Sequence, residues 1–324
     1  MAQFSAQSRK LLVTANQSAH SVLALDAQTF TLVARVDTLP EPHMVVFDPK
    51  RKLLYVAITY RSGYYDEPGP RGSEIAVIDA VTWQQRSVVD IAPYAGPHDL
   101  FVREDKLYVT CESHGGCVVV IDVDSYRVDG HIPTETPGPH WLSVLPDGSK
   151  AYTGNKEAEF VSVLDLRAGE MIGKIPTPNG SEDLEVASDG RLLYVNDRAK
   201  PLLHIISTWN DTEIDAVELP HNPHRLHLTA SGLAVVSHYL VPWNSGEAVA
   251  GAVSVVDTET RRVIAQVGVG VGPLGIESDP EATRIYVDNA ADGTMSVIDA
   301  GAFEVIEVAP LEGGAHEVIY LEVD

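Results

Sequence analysis

The sequence predicts an all-β fold: a single seven-bladed β-propeller with four antiparallel strands per blade. Three observations carry this prediction. A short β-branched segment recurs seven times, at 11–16, 53–58, 106–111, 150–155, 192–197, 233–238 and 284–289. A second segment follows each copy, at 22–26, 75–79, 118–122, 161–165, 203–207, 253–257 and 295–299. The commonest spacing between equivalent positions is 42 residues, the length of one four-stranded propeller blade.

Each strand of the unit can be placed in turn. The two recurrent segments are rich in Val, Ile, Leu and Tyr and bounded by Gly, Asp, Asn or Pro, which reads as strand. They are the second and third strands. The fourth follows, as at 31–36, 262–267 and 304–309, and the innermost precedes, as at 43–49 and 140–148. The residues that open the innermost strand are His43, His98, His140, Glu182, His224, Leu274 and His316, at intervals of 55, 42, 42, 42, 50 and 42. The 13 and 8 extra residues of the two long intervals fall between second and third strands, at 59–73 and 237–251. After His316 only one strand is left, and 11–36 supplies the missing three. One blade is therefore shared by 11–36 and 316–324, which leaves no free edge blade. The chain reads as one domain, 1–324, with the other blades starting near 43, 98, 140, 182, 224 and 274.

Composition narrows the partners. The 324 residues include 46 acidic and 23 basic side chains, a net charge of -23, with 44% hydrophobic residues. This is globular composition, and its sign repels nucleic acid and anionic membranes. No apolar run reaches the roughly 18 residues of a membrane helix. The first residues lack the apolar core of a signal peptide, so the expected location is cytoplasmic, with a small molecule as partner. The oligomeric state is open, and a monomer fits. Two cysteines suit a reducing compartment; Cys111 and Cys117 flank a turn and read as ordinary thiols.

The Leu-Tyr-Val and Val-x-Val-Ile-Asp strings, with turns such as Pro146-Asp147-Gly148 and Ser188-Asp189-Gly190, resemble the YVTN-repeat seven-bladed β-propellers. The resemblance covers nearly the whole chain. It implies the fold, and it leaves function open, because that architecture includes lactonases, lyases, redox-protein subunits and binding proteins.

The opening residues of the innermost strands carry the functional signal. Twelve histidines in 324 residues put about a quarter of a histidine in any seven positions, yet this column holds five, with one glutamate. Seven equivalent positions around one axis converge at the channel mouth. Imidazoles there suit one transition-metal ion, Fe, Mn, Cu, Co, Ni or Zn, held by some of His43, His98, His140, Glu182, His224 and His316. Mg or Ca would want oxygen ligands, and Glu182 alone offers them. The competing reading is a set of structural or channel-lining histidines. The Gly-Pro-His string at 96–98 and 138–140 allows copying from an ancestral repeat, as in WD-repeat propellers.

Neighbouring columns extend the expected site. Asp99, Asp183 and Glu317 in one column and Glu185 and Glu277 in another are expected to receive the second ring N–H of ligand histidines, and His227 shares the column of Glu185 and Glu277. Asn196, His238 and Asp288 end the second strands of three adjacent blades beside Leu274, which suggests the side on which substrate enters. His238 and Glu182 are the candidate proton-handling groups. Tyr60, Arg61, Tyr64, Tyr65, Tyr239 and Trp243 on the two long loops, with Trp141 and Leu274, are the expected pocket wall. Such rings suit an aromatic or unsaturated substrate, or alternatively pack the loops against the rim.

No GxSxG, P-loop, GxGxxG, HExxH or CxxC motif is present. The sequence thus predicts a metal-dependent enzyme acting on a small organic substrate, with oxygenase or oxidoreductase chemistry first. The general arrangement resembles that of the carotenoid-cleavage oxygenases, without their motifs. A non-redox lyase, isomerase or hydrolase comes second, and a non-catalytic scaffold or metal-binding propeller third.

Overall fold

In the computed structural model, which describes residues 8–61, 70–240 and 247–324, the strands form seven sheets of four. Strands are numbered β1–β28 in chain order. Six sheets run from axis to rim in that order, beginning with β4 (Pro42–Asp48), β8 (Pro97–Arg103), β12 (Pro139–Val144), β16 (Ser181–Val186), β20 (Leu226–Leu228) and β24 (Pro273–Ser278). The seventh has the order β28 (Ala315–Val323), β1 (Arg9–Asn16), β2 (Ser21–Asp26), β3 (Leu32–Asp37). The expected closure by the two terminal segments is thus present, with β1 paired to β28 from Arg9↔Val323 to Asn16↔Ala315. The two long connections also fall where expected, after β5 (Leu53–Tyr60) and β21 (Leu233–His238).

Burial follows position in the blade. Every residue of β5 is buried, because neighbouring blades pack on both faces of a second strand. The outermost β27 (Glu304–Pro310) is exposed at all but one position. Tyr55, Tyr152 and Tyr286 occupy one column, at intervals matching their blades, and are each at most 1% exposed. Their rings wedge between sheets. Cys111 and Cys117 are direct cross-strand partners, both buried and both free thiols.

The innermost strands carry a feature the repeat pattern does not announce. In each of six blades the register skips at the histidine column, as between Pro42↔Ile58 and Val45↔Val56. Equivalent irregularities stand at Pro97/Leu100, Pro139/Trp141, Ser181/Leu184, Pro273/Ile276 and, in β28, beside His316. The column residue is therefore the extra residue of a β-bulge, which bends the strand and re-aims the side chain. Pro42, Pro97, Pro139 and Pro273 sit immediately before it. Proline suits this position because the innermost strand is a sheet edge and its N–H has no ladder partner to lose. His224 lies two residues before β20 and is held equivalently, its N–H donating to Ser237 O at 2.8 Å.

Other edge N–H groups are satisfied from the next blade. Asp99 accepts from the N–H of Leu100 at 2.7 Å and from that of Leu142, one blade on, at 2.8 Å. Asp183 does the same with Leu184 and Leu226, at 2.7 and 2.8 Å. Glu185 accepts from Leu228 N–H at 2.8 Å, and Ser143 Oγ from Val186 N–H at 2.9 Å. Glu277 accepts from Ser278 at 2.8 Å and reaches Tyr320 N–H at 3.4 Å. These side chains staple the innermost strands into a ring.

Candidate functional site

A cavity of about 1050 Å³ opens at the end of the channel where the bulged column lies. Its floor is an arc of four histidines from four successive blades. His316 and His43 have ring centroids 3.6 Å apart, His43 and His98 4.4 Å, and His98 and His140 4.2 Å. His43 Nε2 and His98 Nε2 face one another at 2.9 Å. Burial pushes all four imidazoles to the neutral form: His43 down to about 3, and His98, His140 and His316 well below the usual range. The Nδ1 atoms of His43, His98 and His316 are buried with no hydrogen-bond partner among the described residues.

The next two members of the column form a separate polar group. Glu182 Oε1 lies 2.7 Å from Lys156 Nζ and 3.5 Å from His224 Nε2. Burial would raise the Glu182 carboxyl, but Lys156, followed by His224, outweighs it and holds the group below its ordinary value. Tyr239 meets the His224 ring edge-on, with centroids 4.7 Å apart. Leu274 closes the ring, and the following Gly275 lets β24 approach β28: a side-chain carbon there would lie 2.7 Å from Val318 N.

Below the histidine floor the channel is plugged. The Arg225 guanidinium lies 3.7 Å from the Trp141 ring, 2.6 Å from Glu317 Oε2 and 3.3 Å from Asp183 Oδ2. Trp141 in turn meets His98 edge-on at 5.0 Å. Burial raises Asp99 to about 7, Asp183 to about 6 and Glu317 to about 8. One buried cation thus balances several carboxylates of reduced charge. One layer deeper, His227 bonds Ser278 Oγ at 2.8 Å and lies 3.4 Å from Glu277.

The structure brings together some of the expected site and disperses the rest. His43, His98, His140, Glu182, His224, His316, Trp141, Tyr60, Tyr239 and Leu274 all line the cavity. The hydrogen bonds of Asp99, Asp183, Glu185 and Glu277 go to backbone N–H groups of innermost strands, and Glu317 pairs with Arg225, where a contact to the histidine rings was expected. The reason is that these side chains sit on the next layer of the strand, where edge N–H groups compete for them. Asp288 is fully buried with neither oxygen bonded among the described residues, and burial raises its carboxyl far above the usual range. Asn196 Nδ2 donates to His224 O at 3.2 Å and so braces a column residue through its backbone. His238 is 0% exposed, its Nε2 on Ser254 Oγ at 2.8 Å and its Nδ1 3.0 Å from Asn222 O, and it is absent from the cavity wall. Both nitrogens are committed to the blade, so His238 is a strut in this geometry. Arg61 is exposed and pairs with Glu74, away from the cavity. Tyr64, Tyr65 and Trp243 lie outside the described residues.

Two functional candidates escaped the column reading. Glu112 is buried, with Oε1 3.6 Å from His140 Nε2 and 2.9 Å from the Tyr60 hydroxyl, and with Arg71 2.6 Å from Oε2. Tyr60 thereby hangs beside His43, centroids 6.0 Å apart. Lys156 is the second. The β8–β9 hairpin, with β9 at Lys106–Cys111, is two residues shorter than its equivalents. With that correction Glu112, Lys156 and Arg198 fall in one column, just beyond the ends of the second strands.

Among the described residues no three His, Cys, Asp or Glu side chains already converge on a single ion position. The chemistry of the floor nevertheless fits a transition metal. Neutral imidazoles are the ligating form. Two ring nitrogens bound about 2.1 Å from one ion stand roughly 3.0–3.4 Å apart, close to the His43–His98 separation. The unpartnered Nδ1 atoms are buried polar groups that their blades leave unsatisfied.

No family model and no curated protein sequence matches the chain. Solved structures share its architecture at low identity. A functionally unknown protein from Desulfotomaculum acetoxidans DSM 771 superposes with a TM-score of 0.77 at 10% identity, over 97% of this chain and 99% of that one. The dihydro-heme d1 dehydrogenase NirN, solved in complex with DHE, gives 0.67 at 15% identity, over 95% and 74%. Hydrazine synthase of Kuenenia stuttgartiensis gives 0.53 at 13% identity, over 72% and 97%. The chain is thus a seven-bladed β-propeller with propeller-type structural neighbours, and its YVTN-like strings are not matched by a family model.

Proposed function

We propose that this chain is an enzyme that holds one transition-metal ion at the histidine floor and acts on a small organic molecule in the cavity above it. The observation that carries the reading is the arc of neutral, closely packed imidazoles of His316, His43, His98 and His140 from four successive blades, in which the buried Nδ1 atoms of His43, His98 and His316 have no hydrogen-bond partner among the described residues. These four residues would hold the ion. A metal bound there supplies a Lewis-acid or redox centre at the base of a partly apolar cavity.

The chain's own residues do the rest. Glu182, ionised by Lys156 and next to His224, is a proton acceptor on the cavity wall. Glu112 fixes Tyr60, whose ring and hydroxyl shield one side of His43 from water. Trp141 and Arg225 close the channel beneath, so substrate approaches from one end. Oxidoreductase chemistry is favoured over hydrolase or lyase chemistry because histidine is the dominant donor and two neighbours of this architecture are a dehydrogenase and a hydrazine synthase. That preference rests on analogy of fold.

The test is elemental analysis with an absorption spectrum of the natively purified protein, beside a His98→Ala/His140→Ala variant. Stoichiometric Fe, Cu or Mn that the variant loses supports the redox reading, and Zn supports the non-redox one. Protein that is fully folded and metal-free after purification and after metal titration would contradict both.

A further inference from the structure

The cavity has two unlike sides. Past the floor, the column at or just beyond the ends of the second strands reads Gln17, Thr59, Glu112, Lys156, Arg198, Leu240 and Ala290 around the ring. Lys156 and Arg198 are neighbours in successive blades, 42 residues apart, and are the only lysine and arginine lining the cavity among the described residues. The next two blades present a mostly apolar wall, Leu240, Val249, Val271, Leu274, Ala290 and Ala291, with Tyr239 and Glu247 among them.

The two cations differ in how they are held. Lys156 is paired with Glu182 at 2.7 Å. Arg198 bonds Lys156 O at 2.5 Å and Glu157 Oε1 at 3.2 Å, both through Nη1, while its Nε stands 3.9 Å from Glu182, beyond hydrogen-bond range. A guanidinium has five donors in a planar fork matched to a carboxylate. Among the described residues no hydrogen bond engages Nε or Nη2, which are open to a ligand, with Nε in ion-pair range of Glu182. The net charge of -23 does not oppose this, since charges more than about 8 Å away are largely screened at physiological salt.

We propose that the substrate is an amphipathic carboxylate, its acid group received by Arg198 and Lys156 and its apolar body lying against the Leu240–Leu274–Ala290 side. This builds on the reading of the cavity as an enzyme site, and it places the ligand between the cationic wall and the apolar wall of the following blades.

The probes are trans-cinnamate, benzoate and phenylacetate, each beside its neutral amide, titrated calorimetrically into the full chain. At least one acid is expected to bind, with its amide weaker by roughly tenfold or more, the scale of one charge-assisted hydrogen bond. Arg198→Met and Lys156→Met should each weaken that acid by a similar factor and leave the amide unchanged. Lys174→Met, on the outer part of its blade, should change neither. No acid binding, equal binding of acids and amides, or acid affinity unchanged in both variants would overturn the proposal. Metal content measured on the same samples separates the two claims. Acid preference without metal sinks only the metal reading, and metal without acid preference sinks only this one.

Discussion

His43 and His98 come from adjacent blades and are 55 residues apart in sequence, yet their Nε2 atoms face each other at 2.9 Å. Neither ring can be charged at neutral pH at that distance in a buried site. One must donate and the other accept, or both must turn to a shared ion. In either case the bulge at the start of each innermost strand sets the meeting point. The His98→Ala/His140→Ala variant should therefore lose bound metal while its far-ultraviolet spectrum and cooperative unfolding persist. A variant that fails to fold would show the histidines to be structural.

Two tyrosines of one column provide a test of packing against polarity. Tyr152 donates its hydroxyl to Asp211 at 2.8 Å, whereas the buried Tyr55 hydroxyl has no partner among the described residues. Tyr152→Phe should cost about 1 kcal/mol, the net value of a hydrogen bond, and Tyr55→Phe should be neutral or slightly stabilising. Urea unfolding of the two variants measures the difference. Equal losses would mean that the Tyr55 hydroxyl is satisfied in solution.

The plug beneath the floor should be costly to break. Arg225→Ala leaves Glu317 and Asp183 buried without their cation, and it removes the guanidinium from the Trp141 face. A loss of about 3–5 kcal/mol is expected, as for other broken buried ion pairs. Arg225→Ala together with Glu317→Gln should recover part of it. No recovery in the double variant would mean that stacking on Trp141 outweighs the ion pair.

Acid stability should report the buried imidazole of His238, which burial holds at about 4 against its bond to the Asn222 backbone. Between pH 6.5 and 4 the unfolded chain takes up a proton at this site and the folded chain does not. The stabilisation is thus complete above pH 6.5 and lost as pH falls through the folded value, on the order of 3 kcal/mol by pH 4. His238→Gln should be less stable than the parent at pH 7, with the gap closing toward pH 4. A pH-independent gap would show that the ring titrates in the fold as it does in the unfolded chain.

Much of the architecture was legible because propeller blades repeat a period. Seven copies of a β-branched segment, most often about 42 residues apart, gave the blades, the shared terminal blade and the two long connections. The histidine column was legible for the same reason, since equivalent positions around one axis must converge. Asp99, Asp183, Glu185 and Glu277 show where this reasoning fails. Their column position is right, but the period does not say that edge N–H groups one blade away will claim each carboxylate. The bulges were hidden because a bulge changes register without changing repeat length. Glu112 and Lys156 were missed because a two-residue shortening of one hairpin shifts Glu112 out of alignment, and Lys156 acquires meaning only beside Glu182.

The central claim is that the arc of His316, His43, His98 and His140 holds a metal. Its most direct test is metal analysis by plasma mass spectrometry on the natively purified chain, repeated after chelation and reconstitution. Close to one transition-metal ion per chain is expected, released by chelator and absent from His98→Ala/His140→Ala. Folded wild-type chain that neither contains nor takes up a transition metal would contradict it.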